Sequence, residues 1–142
     1  MSLIIREAKL SDAAIIVQLI KEPTFGELSP LTVAYVPRYL ACSGSHILLA
    51  EEDGQGVGLL CYSLRPDLYH ASNVCLIEQF VVKETARGHG VGGALLTDLL
   101  HRLSATNCAE VSVTVLPNNE QAIKFYRAHG LVEECLSLEK HF

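Results

Sequence analysis

The spacing of apolar residues changes several times along the chain, and each change predicts an element. Residues 4–9 read as a first strand. Behind Ser11, a candidate N-cap, Ala13, Ile16, Val17 and Ile20 recur at helical spacing and predict a helix over residues 12–21. Residues 22–29, with Pro23 and Gly26, read as a loop, and Pro30 suits the first turn of a second helix over 31–42. β-type runs at 46–51 and 57–64 flank Asp53-Gly54, a hairpin pair. After a loop at 65–73 comes a longer strand, 74–82. Leu95, Leu96, Leu99, Leu100 and Leu103 then form the buried stripe of a helix ending near Ala105. A strand at 111–115, a helix at 120–128 and a terminal strand at 131–141 complete the order β-α-α-β-β-β-α-β-α-β. That order predicts an α/β (α+β) fold in which helices pack on the faces of a mixed sheet.

A chain of 142 residues with 49% hydrophobic content suffices for one core, so a single domain spanning 1–142 is expected. No apolar run approaches the roughly 20 residues of a membrane span, and the first residues lack the layout of a signal peptide. The five cysteines, at 42, 61, 75, 108 and 135, are odd in number and show neither disulfide nor metal-ligand spacing. They read as small apolar side chains in a reducing cytoplasm, with no metal site. A net charge of −5 without a basic stripe argues against nucleic acid and favours neutral or cationic partners.

Chemistry enters at Lys83-Glu84-Thr85-Ala86-Arg87-Gly88-His89-Gly90-Val91-Gly92-Gly93, a glycine-rich turn that feeds a helix. Unpaired amides and the positive end of a helix dipole converge in such a turn, which makes it a candidate anion cradle. Gly88 to Gly93 satisfies the dinucleotide pattern G-x-G-x-x-G, but its context does not. Residues 83–87 separate it from its strand, it arrives past the midpoint of the chain, and Glu110 begins the next strand instead of ending it. No G-K-[ST] closes the run, so a P-loop is excluded as well.

Arg87-x-x-Gly90-x-Gly92, between a strand ending in Phe80-Val81-Val82 and a leucine-rich helix, resembles the [RQ]-x-x-G-x-[GA] signature of the GNAT N-acetyltransferases. Downstream, the stretch from Asn119 through Phe125-Tyr126 to Gly130-Leu131 is similar to the family's N-x-x-A-x-x-[FL]-Y-x-x-x-G-F segment, with Leu131 in place of the usual aromatic. The resemblance implies a single-domain, mostly antiparallel central sheet with helices on both faces, and an acetyl-CoA-dependent N-acetyltransferase that transfers acetyl to a primary amine in a ternary complex. It implies that the amides of Gly88, His89, Gly90, Val91 and Gly92, with Arg87, receive the pyrophosphate of acetyl-CoA. The main chain of Phe80, Val81 and Val82 would take the pantetheine arm along a strand edge splayed from the next strand, and Asn119 would touch the cofactor or cap its helix.

The acceptor amine, with a pKa of roughly 10.4 for a lysine-like group, must lose a proton before it attacks. Glu78, a carboxylate within an otherwise apolar strand, is the candidate base; its alternative is a solvent-facing or substrate-orienting group. Tyr126 corresponds to the family tyrosine that donates a proton to the leaving thiolate, and its alternative is core packing. Acidic residues Glu22, Glu27, Glu133 and Glu134 fall in segments that line the acceptor cleft in the family, so a cationic acceptor, small molecule or peptide end, is expected. Of the histidines, only His70 is a marginal candidate beside that pocket. The sequence after Leu131 has room for one long strand and hardly for the pair that many relatives of the family carry, so the acceptor pocket is expected either to be open or to be completed by a second subunit in a homodimer. Two other readings stand beside the enzyme: a non-catalytic acyl-CoA sensor of the same fold, and a dinucleotide-dependent oxidoreductase.

Overall fold

The computed structural model describes residues 2–21, 28–30 and 32–142. Five strands form one sheet in the order β1-β2-β3-β4-β5. They are β1 (Leu3–Glu7), β2 (Ser45–Glu52), β3 (Gln55–Asp67), β4 (Ser72–Val82) and β5 (Cys108–Val113), and the helices are α1 (Ala13–Ile20), α2 (Thr32–Ala41), α3 (Val91–Ala105) and α4 (Glu120–Ala128). The first four strands pair antiparallel and β5 joins β4 in parallel, because α3 carries the chain back across one face.

The apolar runs in the middle of the chain follow from burial on both faces of the sheet. Leu48, Ala50, Leu60 and Tyr62 pack with Leu95, Leu96 and Leu99 of α3 on one side. Ile47, Leu49, Leu59 and Cys61 pack with Ile16, Val17 and Leu19 of α1 and Val36 of α2 on the other. At Gly58 an added Cβ would lie 3.1 Å from Val91 Cγ1 and 3.2 Å from both Leu95 Cδ1 and Val81 O, so glycine permits α3 to sit this close to β3.

Asp53 and Gly54 both have positive φ, 52° and 76°, as the expected tight hairpin requires. Three local expectations fail. Ser11 does not cap α1; a 3-10 turn, Leu10–Asp12, precedes the helix, and Asp12 instead accepts the Lys9 amide at 2.7 Å. The loop expected at 65–73 shrinks to four residues because β3 runs on to Asp67. Pro66 is tolerated there since β2 pairs with β3 only as far as Ser63, and the missing N–H falls where β3 has one strand neighbour. The terminal strand at 131–141 does not form: residues 131–142 belong to no strand and are almost all exposed. The predicted element order therefore holds up to α4, and the sheet ends at β5.

Candidate functional site

Two irregularities in β4 build the site. Its pairing with β3 runs Leu60↔Phe80 and then Tyr62↔Ile77, so β4 carries one residue more than its partner across Glu78-Gln79. This bulge keeps Ile77 and Phe80 on the α3 face although they are three residues apart, and it turns both Glu78 and Gln79 out to solvent. On the other side β4 pairs with β5 only from Asn73 to Ile77, the last pair being Ile77↔Val113. Beyond it the two parallel strands part, and β4 from Glu78 to Val82 keeps an open edge.

The polarity of that edge follows from strand alternation. Lys83 N donates to Val57 O at 2.7 Å, toward β3. Neighbouring residues of a strand point their main-chain groups to opposite sides, so the amide and carbonyl of Val82 face the open edge. Arg87 occupies the carbonyl there, its Nε donating to Val82 O at 3.0 Å. The Val82 amide is left as the donor pointing into the cleft.

At the end of β4 a 3-10 turn, Glu84–Ala86, lays the buried Ala86 under the loop and delivers the chain to Arg87 in extended conformation. Gly88 and Gly90 follow at φ 81° and 80°, and α3 begins at Val91, its first intrahelical bond being Ala94 N to Gly90 O at 3.0 Å. Glycine is required at 88 and 90 by the left-handed backbone, since a Cβ at either position would meet nothing within 4 Å. That open side and the run of amides ahead of the first intrahelical bond fit a pyrophosphate. A Cβ at Gly92 would sit 3.7 Å from Val82 Cγ2 and Phe125 Cζ, so this glycine borders the packing of α3 against α4. His89 is exposed on the rim of the loop.

From the other wall α4 presents Phe125 and Tyr126. Phe80, Phe125 and Tyr126 meet edge to face, with centroid separations of 5.9 Å for Phe80–Phe125, 6.3 Å for Phe80–Tyr126 and 5.3 Å for Phe125–Tyr126. Burial pushes the Tyr126 phenol up to about 12, which keeps its proton in place at neutral pH. Asn119 caps α4, its Oδ1 accepting the Ala122 amide at 3.2 Å.

Glu78 is not an isolated surface carboxylate. Tyr39 of α2 donates to its Oε1 at 3.1 Å. The Tyr39 phenol is pushed far up by burial, with the neighbouring Cys61 and Glu78 adding to the shift, so Tyr39 acts only as a donor. No sequence signal marked Tyr39, which comes to Glu78 across 39 positions of chain.

The other expected groups lie elsewhere. His70 sits in the β3–β4 turn, bonded to Asp67 Oδ2 at 2.6 Å, near the start of β4 and so roughly 30 Å of strand from the glycine loop. Glu133 and Glu134 are exposed, and Glu134 pairs with Arg127 at 2.9 Å. Glu22 and Glu27 fall outside the described residues. Among the described residues no cluster of His, Cys, Asp or Glu could hold a metal ion, and no helix is long and apolar enough to cross a membrane. Surface hollows of about 530 and 490 Å³ open beside the β3–β4 turn and between α2 and the β1–β2 end. Neither includes the loop, the open edge or Tyr126.

The model of the acetyltransferase (GNAT) family matches residues 14–131, a span that holds β4, the glycine loop and α4 together. The chain belongs to this family. Among the relatives of this GNAT chain, an L-2,4-diaminobutyric acid acetyltransferase from Nocardia farcinica is 29% identical over 125 residues, covering 88% of this chain. The chain spans 62% of that relative's length. A putative acetyltransferase from Agrobacterium tumefaciens superimposes with a TM-score of 0.86 at 25% identity, over the full length of both chains. A transcriptional regulator from Bacillus halodurans has a TM-score of 0.88 at 24% identity, over 99% of this chain and all of its own, and shows that the whole GNAT fold is shared.

Proposed function

We propose that this chain is an N-acetyltransferase that moves the acetyl group of acetyl-CoA directly to a primary amine, both substrates being bound at once. The observation that carries the reading is the open edge of β4, which ends at the glycine loop and lies beside Tyr126. A pantetheine arm carries amides, so the Phe80–Val82 main chain can bind it as a further strand. The amides of Gly88, His89, Gly90, Val91 and Gly92 then meet the pyrophosphate, with Arg87 anchored between the two sections and Asn119 at their margin. The Val82 amide polarises the thioester carbonyl.

Proton traffic falls to two side chains. Glu78, held by Tyr39, takes a proton from the incoming ammonium, through water where the amine stands too far for direct contact. The amine nitrogen attacks the carbonyl carbon, the carbon–sulfur bond breaks, Tyr126 donates its phenolic proton to the departing thiolate, and the second proton that the nitrogen sheds as the amide forms returns through water to the Tyr126 phenolate, while Glu78 gives its proton up to solvent. The products are an amide and free CoA thiol. A cationic acceptor suits a cleft edged by Glu78, and the diaminobutyrate relative supports a small molecule carrying an ammonium group. The proposed setting is a reducing cytoplasm, supported by five free cysteines. The proposed assembly is a homodimer.

The test is release of free thiol from acetyl-CoA across amines of matched length with cationic and neutral tails. Turnover is expected with cationic amines, diaminobutyrate included. Tight acetyl-CoA binding without thiol release on any amine would replace the enzyme by a sensor, and a thermal shift with NAD but not acetyl-CoA would remove the family chemistry altogether.

A further inference from the structure

One flank of α2 carries a charge that the fold does not use. Contacts on the page settle which flank faces what. Tyr39 reaches Glu78 of β4 at 3.1 Å on one side, Val36 is buried beneath the helix, and Pro37, Leu40 and Ala41 line the hollow at the β1–β2 end on the other. At about 100° per residue, Tyr35 and Arg38 both fall on the Tyr39 side, in the order Tyr39, Tyr35, Arg38 from core to solvent. The Arg38 guanidinium lies over the Tyr35 ring, 5.8 Å from its centroid, which holds it on the flank that faces Glu78.

The chain has six arginines. Arg6, Arg65, Arg102 and Arg127 each hold a carboxylate, and Arg87 holds the Val82 carbonyl. Among the described residues Arg38 has no such acceptor, and its contact is the aromatic face alone. A guanidinium stacked on a ring keeps its planar edge free, and that edge matches a carboxylate through two parallel hydrogen bonds. Across from it, the outward face of β4 supplies Glu78 and, two residues earlier, Leu76 at 40% exposure. Tyr35 adds a second apolar surface, 54% exposed. The space beside Glu78 thus combines a carboxylate, apolar walls and an arginine without an anion. Tyr35, which carries Arg38, stands one helical turn from Tyr39, which carries Glu78, a rise of about 6 Å. The carboxylate of an amino acid and an ammonium at the end of a side chain of two or three carbons are separated by roughly 5–6 Å.

We propose that the acceptor is an amino acid whose amine ends a short side chain, with that ammonium at Glu78, its carboxylate in the fork of Arg38 and its aliphatic stem along Leu76 and Tyr35. The proposal rests on the reading of Glu78 as the group that receives the acceptor amine, and it narrows that reading. Attraction to Glu78 and to an acidic chain favours the most cationic amine available. Arg38 repels such an amine unless it also carries a carboxylate, so the two charges together select one end-to-end arrangement.

The experiment compares L-2,4-diaminobutyrate and L-ornithine with their α-carboxamides on the wild type, Arg38→Ala and Arg38→Glu. Thiol release from acetyl-CoA gives kcat/KM, and titration calorimetry in the presence of CoA gives Kd for the same four compounds. Each carboxamide carries one more positive charge than its acid, so Glu78 acting alone favours the carboxamides and Arg38 favours the acids. The wild type should prefer each acid by about tenfold in both quantities, the scale of one charge-assisted contact. Arg38→Ala should bring the ratio to one or below, and Arg38→Glu should reverse it. Arg38 is exposed and pairs with no carboxylate, so both variants should fold as the wild type does. Equal or better use of the carboxamides by the wild type overturns the proposal, as does a preference for the acids that survives Arg38→Ala, or no binding of any of the four. Binding also separates the proposal from the reading beneath it. A preference for the acids in Kd that Arg38→Ala abolishes, without thiol release, keeps the subsite and refutes acetyl transfer; thiol release without that preference does the reverse.

Discussion

Replacing Tyr126 by Phe isolates one hydroxyl. The ring stays in its edge-to-face contacts with Phe80 and Phe125, and the hydroxyl's only marked perturbation is burial. Folding stability should therefore change by no more than about 0.5 kcal/mol, the range of a substitution that leaves packing intact. Catalysis should change far more. With its pKa raised to about 12, the phenol is more than 99.9% protonated at pH 8, by roughly four pH units, so the donor is always loaded. A thiol leaves as the anion of a group with a pKa of about 8.5, and the same buried surroundings that raise the phenol raise the thiolate's affinity for a proton. Donation becomes favourable only as negative charge builds on sulfur, which is a transition-state interaction. Its loss should lower kcat by about 10²-fold, or about 2.7 kcal/mol of barrier, with KM for acetyl-CoA within about twofold of wild type. The wild-type rate should also show no alkaline decline attributable to this group below about pH 11, one unit short of its raised pKa. The assay is single-turnover thiol release at saturating amine. A folded Tyr126→Phe protein with an unchanged chemical step refutes the assignment and leaves Tyr126 a packing residue.

Gly90→Val forces a β-branched residue to φ 80° in open space, so the loop should abandon its conformation at little cost to the core; thermal stabilisation by acetyl-CoA should vanish, and wild-type affinity would contradict the cradle. Glu78→Gln should lower kcat/KM by about 10²-fold, while Tyr39→Phe should lower kcat/KM by a smaller factor, because the carboxylate loses the donor that orients it; an unchanged kcat/KM would mean that Tyr39 only joins α2 to β4. Asp12, which accepts both terminal nitrogens of Arg6 at 2.8 Å, is held at about 2, below its ordinary 3.8. Such a depressed group stabilises the fold above the ordinary value and ceases to as pH falls through the folded one. Asp12→Asn should cost about 1–2 kcal/mol at pH 7 by calorimetry, after a discount for the partly exposed Arg6, with the two proteins converging between about pH 4 and 2.

What the sequence made legible was local. Leu95, Leu96, Leu99 and Leu103 declare α3 by their spacing, and Asp53-Gly54 declares its hairpin because few residue pairs accept two positive φ angles in succession. The glycine loop was legible for the same reason, Gly88 and Gly90 both standing at positive φ. Residues 131–141 have the alternation of a strand, and alternation reports which face is apolar; it does not report whether a ladder partner lies within the same chain. Tyr39 was invisible because its significance comes entirely from Glu78, on an element far along the sequence, and its helical neighbours give it the look of any half-buried aromatic.

The extra residue in β4 connects these observations. In a regular strand Phe80 would share the outward face of Leu76 and Glu78, and Gln79 would stand in the α3 layer in its stead. The bulge across Glu78-Gln79 resets the alternation, so that Phe80 returns to the α3 core beside Tyr126 while Glu78 stays outside within reach of Tyr39. The same residues are the first of β4 that β5 does not pair, so the strand acquires an outward carboxylate, an inward aromatic and a free edge within three positions. The proposed base, the aromatic that meets Tyr126 of α4 and the proposed thioester edge are thereby set on a single strand fixed along its other edge by β3. Straightening β4 with Gln79 kept would turn Phe80 away from the α3 core and from Tyr126 and put Gln79 in its place. The arrangement therefore ties the proposed chemistry to backbone register, and the identity of residue 78 is only one part of what must be kept.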